Sequence, residues 1–191
     1  MGRDKLTLEY NNKPLAAYAV DAIRCANVDA RIIVTNNPRL AELAAGFLVV
    51  PNPGADEGRT AAIRAGVRAA EKHSRYIFLV ADQPFVTAEV IDGIAALGEQ
   101  NSDKIIVCAA EGKGVKKRGN PVLLPNTYRE RLLALRGDSG GRGLITPDNI
   151  LEYMTPAKTL FDIDVIEDYE LLIQGDHVSL IYPRIGKSPE K

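Results

Sequence analysis

The sequence predicts an α/β fold in three layers: a mostly parallel sheet with helices on both faces. Three observations predict it. From Pro14 to Ala109, short β-branched runs alternate with segments whose apolar residues recur at helical spacing. The central apolar run, Tyr76 to Ala81, is stopped by Asp82-Gln-Pro84. A carboxylate therefore stands where a sheet of this kind opens into its ligand crevice. A loop dense in turn formers, Asn52-Pro-Gly-Ala-Asp-Glu-Gly58, joins a strand pattern to a helix pattern. Repeated βα units place parallel strands side by side and cover them with helices.

Pro14 can start a helix, and Leu15, Ala19, Ile23 and Ala26 follow on one face. Ala30 to Thr35 reads as a buried strand, Pro38 to Ala45 as a brief helix and Phe47 to Val50 as another strand. Past the glycine loop, a helix turns Ile63, Val67 and Ala70 inward. Thr87 caps a helix whose buried stripe is Val90, Ile91, Ile94 and Leu97. Lys104 to Ala109 is again a strand. The second half is less regular. Glu111 to Gly119 reads as a charged loop whose basic run, Lys113 to Arg118, is solvated. Asn120 to Pro125 reads as an edge strand, because Pro121 and Pro125 fit poorly in a central one. Tyr128 to Leu135 is a short helix, and Gly137 to Gly143 a second flexible loop leading into a helical turn. Asn149 to Tyr153 and Thr159 to Ile163 are strand candidates, and Glu167 to Ile173 a closing helix. The tail after Gly175 is polar apart from Val178 to Tyr182.

A length of 191 residues suits one domain with a full core and is short for two, so residues 1–191 are read as a single domain with a tail at 176–191. Lys plus Arg number 24 against 25 Asp plus Glu, a formal net charge of -1, which gives no general pull toward nucleic acid or anionic membrane. No apolar run reaches membrane-spanning length, and the N-terminus lacks the apolar core of a secretion signal. Cys25 and Cys108 lie far apart with no Cys/His cluster, which argues against structural zinc. Both read as small buried hydrophobes in a reducing, cytoplasmic compartment.

Several residue types point to chemistry on phosphates. Asp82 can hold a metal bound to nucleotide phosphates; as the plainer alternative, it closes a turn or caps the helix near Thr87. Asp162 and Asp164 flank Ile163, and in a strand they face the same side. Two such carboxylates need a cation or donors, which makes a metal site with Asp82 plausible. The alternative is a surface pair, with Asp164 capping the last helix and Glu167 three residues on as in a capping box. Gly54 and Gly58 allow close approach of backbone to a ligand at a helix N-terminus, with Thr60 and Arg64 able to add contacts; otherwise they mark a turn. Asp138 and Arg142 in the second loop are expected to pair and to reach substrate. Neither loop is a Walker A or dinucleotide fingerprint. His73 and His177 read as structural or surface residues, and no nucleophilic triad is visible.

Taken in order, these pieces resemble the molybdopterin nucleotidyltransferase-like family, in its molybdopterin cytidylyltransferase branch. Met1-Gly-Arg-Asp-Lys5 resembles the end of that family's N-terminal loop, Leu-Ala-Ala-Gly-x-Ser-x-Arg-Met-Gly-x-x-Lys, and Lys13-Pro-Leu15 follows. Asn52-Pro53 with Gly58, Arg64-Ala-Gly66, Ala81-Asp-Gln-Pro84 and Gly119-Asn-Pro-Val-Leu123 match further motifs. So do Gly137-Asp-Ser-Gly-Gly-Arg142 and Phe161-Asp-Ile-Asp164 with Glu167-Asp168.

The resemblance implies a Rossmann-like nucleotidyltransferase fold and a Mg²⁺-dependent enzyme. It would pass CMP from CTP to the terminal phosphate of a molybdenum–pterin cofactor and release pyrophosphate. On this reading Lys5, Asp82 and Asp164 are catalytic, and Asp82 and Asp164 hold Mg²⁺. Lys5, Asn52, Gly58, Thr60 and Arg64 meet the nucleotide, and Asn120, Asp138 and Arg142 the acceptor. The product would go to a molybdenum hydroxylase or its maturation factor. Alternatives are a relative using GTP or UTP with another phosphate acceptor, and a non-catalytic cofactor-binding or chaperone protein. Three departures stand out. The family's first strand and most of its glycine-rich loop are not matched. Val165-Ile166 replaces Thr-Pro, and Thr60-Ala61-Ala62 stands where the family carries serines. These are expected to loosen the metal geometry and to alter nucleotide contacts.

Overall fold

Pairing sorts the strands into a main sheet, a parallel pair and a small hairpin. The computed structural model describes residues 5–52, 54, 57–112, 115–137 and 140–175. The main sheet has the order β5 (Arg75–Phe78), β7 (Val115–Pro125), β6 (Ile105–Gly112), β8 (Ile150–Met154). β7 runs antiparallel to β5 and β6, whereas β6 and β8 are parallel. β3 (Ile32–Val34) and β4 (Leu48–Val50) form the parallel pair. The hairpin joins β1 (Glu9–Tyr10) to β2 (Lys13–Pro14). Among the described residues the α-helices are α1 (Leu15–Cys25), α2 (Pro38–Leu43), α3 (Arg59–Ala69), α4 (Ala88–Gln100), α5 (Arg129–Leu133) and α6 (Ile166–Gln174). None of the described helices is long and apolar enough to cross a membrane.

The layering follows from β6. Its residues Ile105 to Ala110 are all buried, so it reads as a continuous apolar run rather than an alternating one. Ile105 and Val107 face one core with Val67 of α3, Ala70 just past its end, Tyr76, Val122 and Leu124. Ile106, Cys108 and Ala110 face the other, with Val90 and Ile94 of α4 and Leu123. The two-residue period of a strand thus feeds both faces. The result is the α/β nucleotidyltransferase-like fold flanked by helices that the sequence predicts, but the main sheet is mixed rather than mostly parallel, because β7 runs antiparallel to both of its neighbours.

Several local expectations change. The segment read as a charged loop is the β6–β7 hairpin, with β6 continuing to Gly112 and β7 starting at Val115. Lys116 and Arg118 are not simply solvated: they pair with Glu152 of β8 at 2.7 and 2.6 Å. Hydrogen bonds from Lys116 and then Arg118 hold the Glu152 carboxyl below its usual range. β7 is interior rather than an edge, despite its prolines. The register shifts between Val107, opposite Val122, and Cys108, opposite Gly119. Asn120 and Pro121 lie in that irregularity, joined by a cis peptide, and Pro125 lies at the strand end. Thr159 to Ile163 is not a strand. It is a 3-10 turn, Ala157–Leu160, followed by non-ladder chain, with the Thr155 and Thr159 hydroxyls bonded at 2.9 Å. β3 is half-buried rather than buried; among the described residues it pairs only with β4.

Thr87 stands at the N-cap of α4, but its side chain makes no capping bond to the helix backbone. A Thr87 hydrogen bond instead lowers the Glu89 carboxyl pKa. Val90, Ile91 and Ile94 are buried as expected.

The two cysteines separate in character. Cys108 is buried in β6, and burial pushes its thiol pKa up to about 12. Cys25 ends α1 and is exposed, contrary to its apolar-helix reading, although Ala22 and Ala26 beside it are buried in the core. Thiolate is the reactive species. A thiol-exchange reagent at pH 8 should therefore modify one cysteine, Cys25, and reach Cys108 only after denaturation. Modification of both in the folded protein would contradict this packing.

Candidate active site

The site begins where β5 leaves the sheet. β5 pairs with β7 as far as Phe78 opposite Val122. The next residue of β7 is Pro121, which has no N–H to donate, so the ladder stops. Leu79 to Ala81 continue outside it, and Asp82 falls in the following turn. The strand is thus shorter than predicted, and Asp82 lies four residues past its end. The Asp82 carbonyl accepts from the Ile163 amide at 3.2 Å. That bond ties the turn to residues 161–164.

In that second segment Phe161 and Ile163 are buried against Leu15 and Leu172. The in–out alternation survives without a strand. Even so, Asp162 and Asp164 do not share one cation. The Lys117 ammonium lies 3.7 Å from Asp162, whereas Asp164 meets Lys5. Asp164 does not cap α6 either. The Asp168 carboxylate accepts from the amides of Asp164 and Val165 at 2.8 and 3.0 Å, which fixes the backbone beside the Asp164 side chain.

Lys5 reaches the site from a 3-10 turn, Lys5–Thr7, that precedes the β1–β2 hairpin. Sequence reasoning missed this hairpin. Its signal was Asn11-Asn12: both have positive φ, 49° and 59°, as a two-residue type I′ turn requires. Leu8 and Tyr10 pack on the Leu15, Phe161, Ile163, Leu172 cluster. The Tyr18 hydroxyl donates to the Tyr10 carbonyl at 2.7 Å and the Tyr169 hydroxyl to the Glu9 carbonyl at 2.6 Å.

So anchored, Lys5 Nζ donates to Asp82 Oδ2 at 2.6 Å and to the Ile163 carbonyl at 2.8 Å, and lies 3.5 Å from Asp164 Oδ1. Burial lowers the Lys5 pKa, but the hydrogen bond and charge of Asp82, with Asp164 behind, outweigh it and hold the ammonium above its usual value. Lys5, Asp82 and Asp164, expected from the sequence to act as one set, are brought together. Asp82 Oδ1 is buried and has no hydrogen-bond partner. Two carboxylates, one of them with an orphaned oxygen, and a carbonyl are hard donors of the kind Mg²⁺ and Mn²⁺ take, completed by water or phosphate oxygens. The residues present fit such an ion. Among the described residues there is no group of three or more His, Cys, Asp or Glu that could hold a metal, so these two carboxylates would share the ion with other oxygens.

Of the other predicted nucleotide residues, Gly58 is the N-cap of α3 and Thr60 and Arg64 lie in its first two turns. Asn52 follows β4, where the Asn36 side chain extends the β3–β4 pairing: it donates to the Asn52 carbonyl at 2.7 Å and accepts from the Asn52 amide at 2.8 Å. Asn52 Oδ1 itself has no partner. Gly58 has φ 69° and ψ −151°, a region essentially restricted to glycine. Thr60 is fully buried, with its hydroxyl unpartnered. Arg64 is committed to protein groups: it pairs with Glu57 and donates to the Leu135 carbonyl at 3.0 Å. The Arg64 hydrogen bond and charge lower the Glu57 carboxyl pKa. A cleft of about 250 Å³ is lined by Gly54, Glu57, Ala61, Arg64, Ala65 and Arg68. Arg64 thus ties the first glycine loop to the chain entering the second, and a Cβ at Gly140 would touch Ile63 of α3 at 3.8 Å.

Of the predicted acceptor residues, Asn120 lies in the β7 irregularity, and the register of β5 and β7 puts it at the Asp82 end of the sheet. Arg142 is exposed on a 3-10 turn, and Asp138 lies outside the described residues. Three features were missed: the Ile163 carbonyl, the Asp168 cap and Gln83. Gln83 is buried beside Asp82 with its Oε1 unpartnered. Its signal was a polar residue between a strand-end Asp and a proline.

A mixed sheet between helices, with carboxylates beyond a strand end and a glycine loop opening a helix, defines the nucleotidyltransferase-like class. The chain matches the MobA-like NTP transferase domain over residues 1–152 and belongs to that family. Over 106 residues it is 29% identical to a molybdenum cofactor guanylyltransferase of Pseudomonas putida, covering 56% of this chain and 55% of that protein. The chain thus spans about half the length of that curated relative. Among solved structures, Rv0371c of Mycobacterium tuberculosis in complex with manganese is similar with a TM-score of 0.74 and 22% identity, over 89% of this chain and 91% of that one. A nucleotidyl transferase from Methanothermobacter, Mth528, is similar with a TM-score of 0.71 and 25% identity, over 90% and 84%.

The backbone at Gly58 gives a direct test of the loop. Gly58→Ala should lower unfolding free energy by about 1–3 kcal/mol in urea denaturation, the cost of forcing a side chain into that region. A neutral substitution would mean that the loop does not hold this conformation.

Proposed function

We propose that this chain is a divalent-metal-dependent nucleotidyltransferase that passes CMP from CTP to the terminal phosphate of a molybdenum–pterin cofactor. The observation that carries the reading is the convergence of Asp82, Asp164 and the Ile163 carbonyl on one cation position, with Asp82 Oδ1 buried and unpartnered beside it. Asp82 and Asp164 would hold Mg²⁺ or Mn²⁺; the manganese complex of a structural neighbour supports a metal of this kind. When bound, the ion supplies charge neutralisation for nucleotide phosphates.

The acceptor's terminal phosphate oxygen attacks the α-phosphorus of the nucleotide. The bond from that phosphorus to the bridging oxygen breaks, and pyrophosphate leaves with the electron pair. The attacking oxygen is already anionic, so the chain needs no strong general base. Its residues contribute by positioning and by neutralising charge. Lys5 carries positive charge toward the phosphates. Asn52 and Thr60 offer unpartnered polar atoms to the nucleotide, and Gly58 lets the backbone approach it. Arg64, engaged by Glu57 and Leu135, serves the same ligand by fixing the loop. Asn120, Asp138 and Arg142 face the acceptor on this reading, and the cofactor so made would pass to a molybdenum hydroxylase. Transfer of GMP from GTP is the second reading, favoured by the similarity to a guanylyltransferase.

The test is Mg²⁺-dependent pyrophosphate release with molybdopterin and each of CTP, GTP, ATP and UTP. CTP-selective turnover is expected, and GTP selectivity would select the second reading. Binding of the pterin without turnover of any nucleotide would favour a carrier protein instead. Asp82→Asn and Asp164→Asn should each cut turnover by about 10²-fold or more, on the scale of losing one pre-organised electrostatic group, with the far-UV spectrum retained. Unchanged turnover in both would remove the metal assignment.

A further inference from the structure

We propose that the Lys5 ammonium and the divalent cation alternate on a single oxygen cradle, so that the protein without metal is held closed by its own lysine. This rests on the metal reading above. Lys5 directs its N–H groups at the set of oxygens a small divalent ion would use: Asp82 Oδ2 at 2.6 Å, the Ile163 carbonyl at 2.8 Å and, more weakly, Asp164 Oδ1 at 3.5 Å. One position cannot hold both cations. A divalent ion would sit about 2.1 Å from the same carboxylate oxygen, and an ammonium still bonded to that oxygen would stand in close repulsive contact with it.

The lysine is an imperfect occupant. An ammonium has three N–H donors and no further coordination capacity. It leaves Asp82 Oδ1 buried without a partner and Asp164 at the edge of hydrogen-bonding distance. A six-coordinate ion can take these additional oxygens. Lys5 also has a way out, since its side chain is 30% exposed. A polyphosphate arriving with the metal offers the released ammonium a new anionic partner. Metal and nucleotide would then bind with positive coupling, each favouring the state in which Lys5 has left the carboxylates.

The experiment measures Mn²⁺ affinity of the full chain without nucleotide, by electron paramagnetic resonance of the free ion. Lys5→Met should bind Mn²⁺ about 10-fold or more tightly than the wild type, because it removes a competitor. Asp82→Asn should weaken binding in either background. Lys117→Met, which removes an equal charge beside Asp162 but outside the cradle, should leave affinity within about twofold. Tightening by K5M no greater than by K117M would reduce the effect to net charge and overturn the exchange. If D82N weakens Mn²⁺ binding but K5M does not strengthen it, the exchange fails and the metal site stands. If D82N has no effect, the metal reading itself fails and takes the exchange with it. A second readout needs no substitution: the Lys5 ε-methylene resonance of the wild type should shift as Mg²⁺ saturates the site. An unmoved resonance at saturation would overturn the exchange even if K5M does not fold.

Discussion

The Lys5 ammonium joins three oxygens from two segments that are also linked by the hydrogen bond from the Ile163 amide to the Asp82 carbonyl and by the packing of Phe85 on Phe161. Its distances to Asp82 Oδ2 and Asp164 Oδ1 place those oxygens no more than about 6 Å apart, the sum of the two. Two carboxylates that close repel by roughly 3 kcal/mol at an effective dielectric of about 20, less where Asp164 is exposed to solvent. A cation between them turns that repulsion into attraction. The end of β5 and the entry to α6 therefore meet on an electrostatic condition, and the N-terminal hairpin supplies it. This gives the hairpin's packing on Phe161, Ile163 and Leu172 a purpose beyond burying Tyr10. The same cluster that seats Ile163 also positions the lysine that binds the Ile163 carbonyl.

The second constraint is the irregularity in β7. An interior strand carrying Asn120-Pro121 would ordinarily be disfavoured, since proline gives up a ladder hydrogen bond. Here the loss is localised. Two residues fall outside the register between Gly119 and Val122, and β5 stops pairing at the same level. The sheet remains intact below that point, with β6 buried on both faces. Above it, the chain after Phe78 is released from the ladder and can turn toward residues 161–164. A regular β7 would have kept β5 extended and pointed the residues before Pro84 along the sheet.

Much of this was legible in the sequence. The helical spacing of Val90, Ile91 and Ile94, the apolar run at Ile105 to Ala109 and the glycine at position 58 each reported a local property that survives folding. What local patterns could not report was pairing. Lys116, Lys117 and Arg118 look solvated until Glu152 is brought across from β8 and Asp162 from the segment beyond it. Pro121 marks an edge strand by its chemistry alone, and only the register shows that an irregularity absorbs it. The Asp162–Asp164 pair illustrates the same limit. Their alternation was read correctly as an outward-facing spacing, but which cation each meets depends on Lys5 and Lys117, some 160 and 45 residues away. The Ile163 carbonyl carries no side-chain signal at all.

The distribution of satisfied and unsatisfied polar groups separates scaffold from site. Buried polar atoms in proteins are rarely left without a partner, because each orphan costs about 1–3 kcal/mol. Apart from Arg129 Nε, the scaffold here obeys that rule. Glu152 has two cations, Asn149 bonds Tyr128, the Leu144 carbonyl and the Thr146 amide, and Asp168 accepts from two backbone amides. Among the described residues five buried side-chain atoms lack partners, on Asn52, Thr60, Asp82, Gln83 and Arg129. Three of these residues were singled out from sequence for their chemistry, and a fourth, Gln83, adjoins one of them. Packing alone gives no reason for the orphans to concentrate there, since a buried valine at position 60 or a leucine at 83 would fill space without the penalty. Polar atoms kept at such cost, beside a loop that only glycine can shape and a pair of carboxylates that require a cation, are what a protein needs if a phosphate-bearing ligand and its metal are to complete the hydrogen bonding that the chain leaves open.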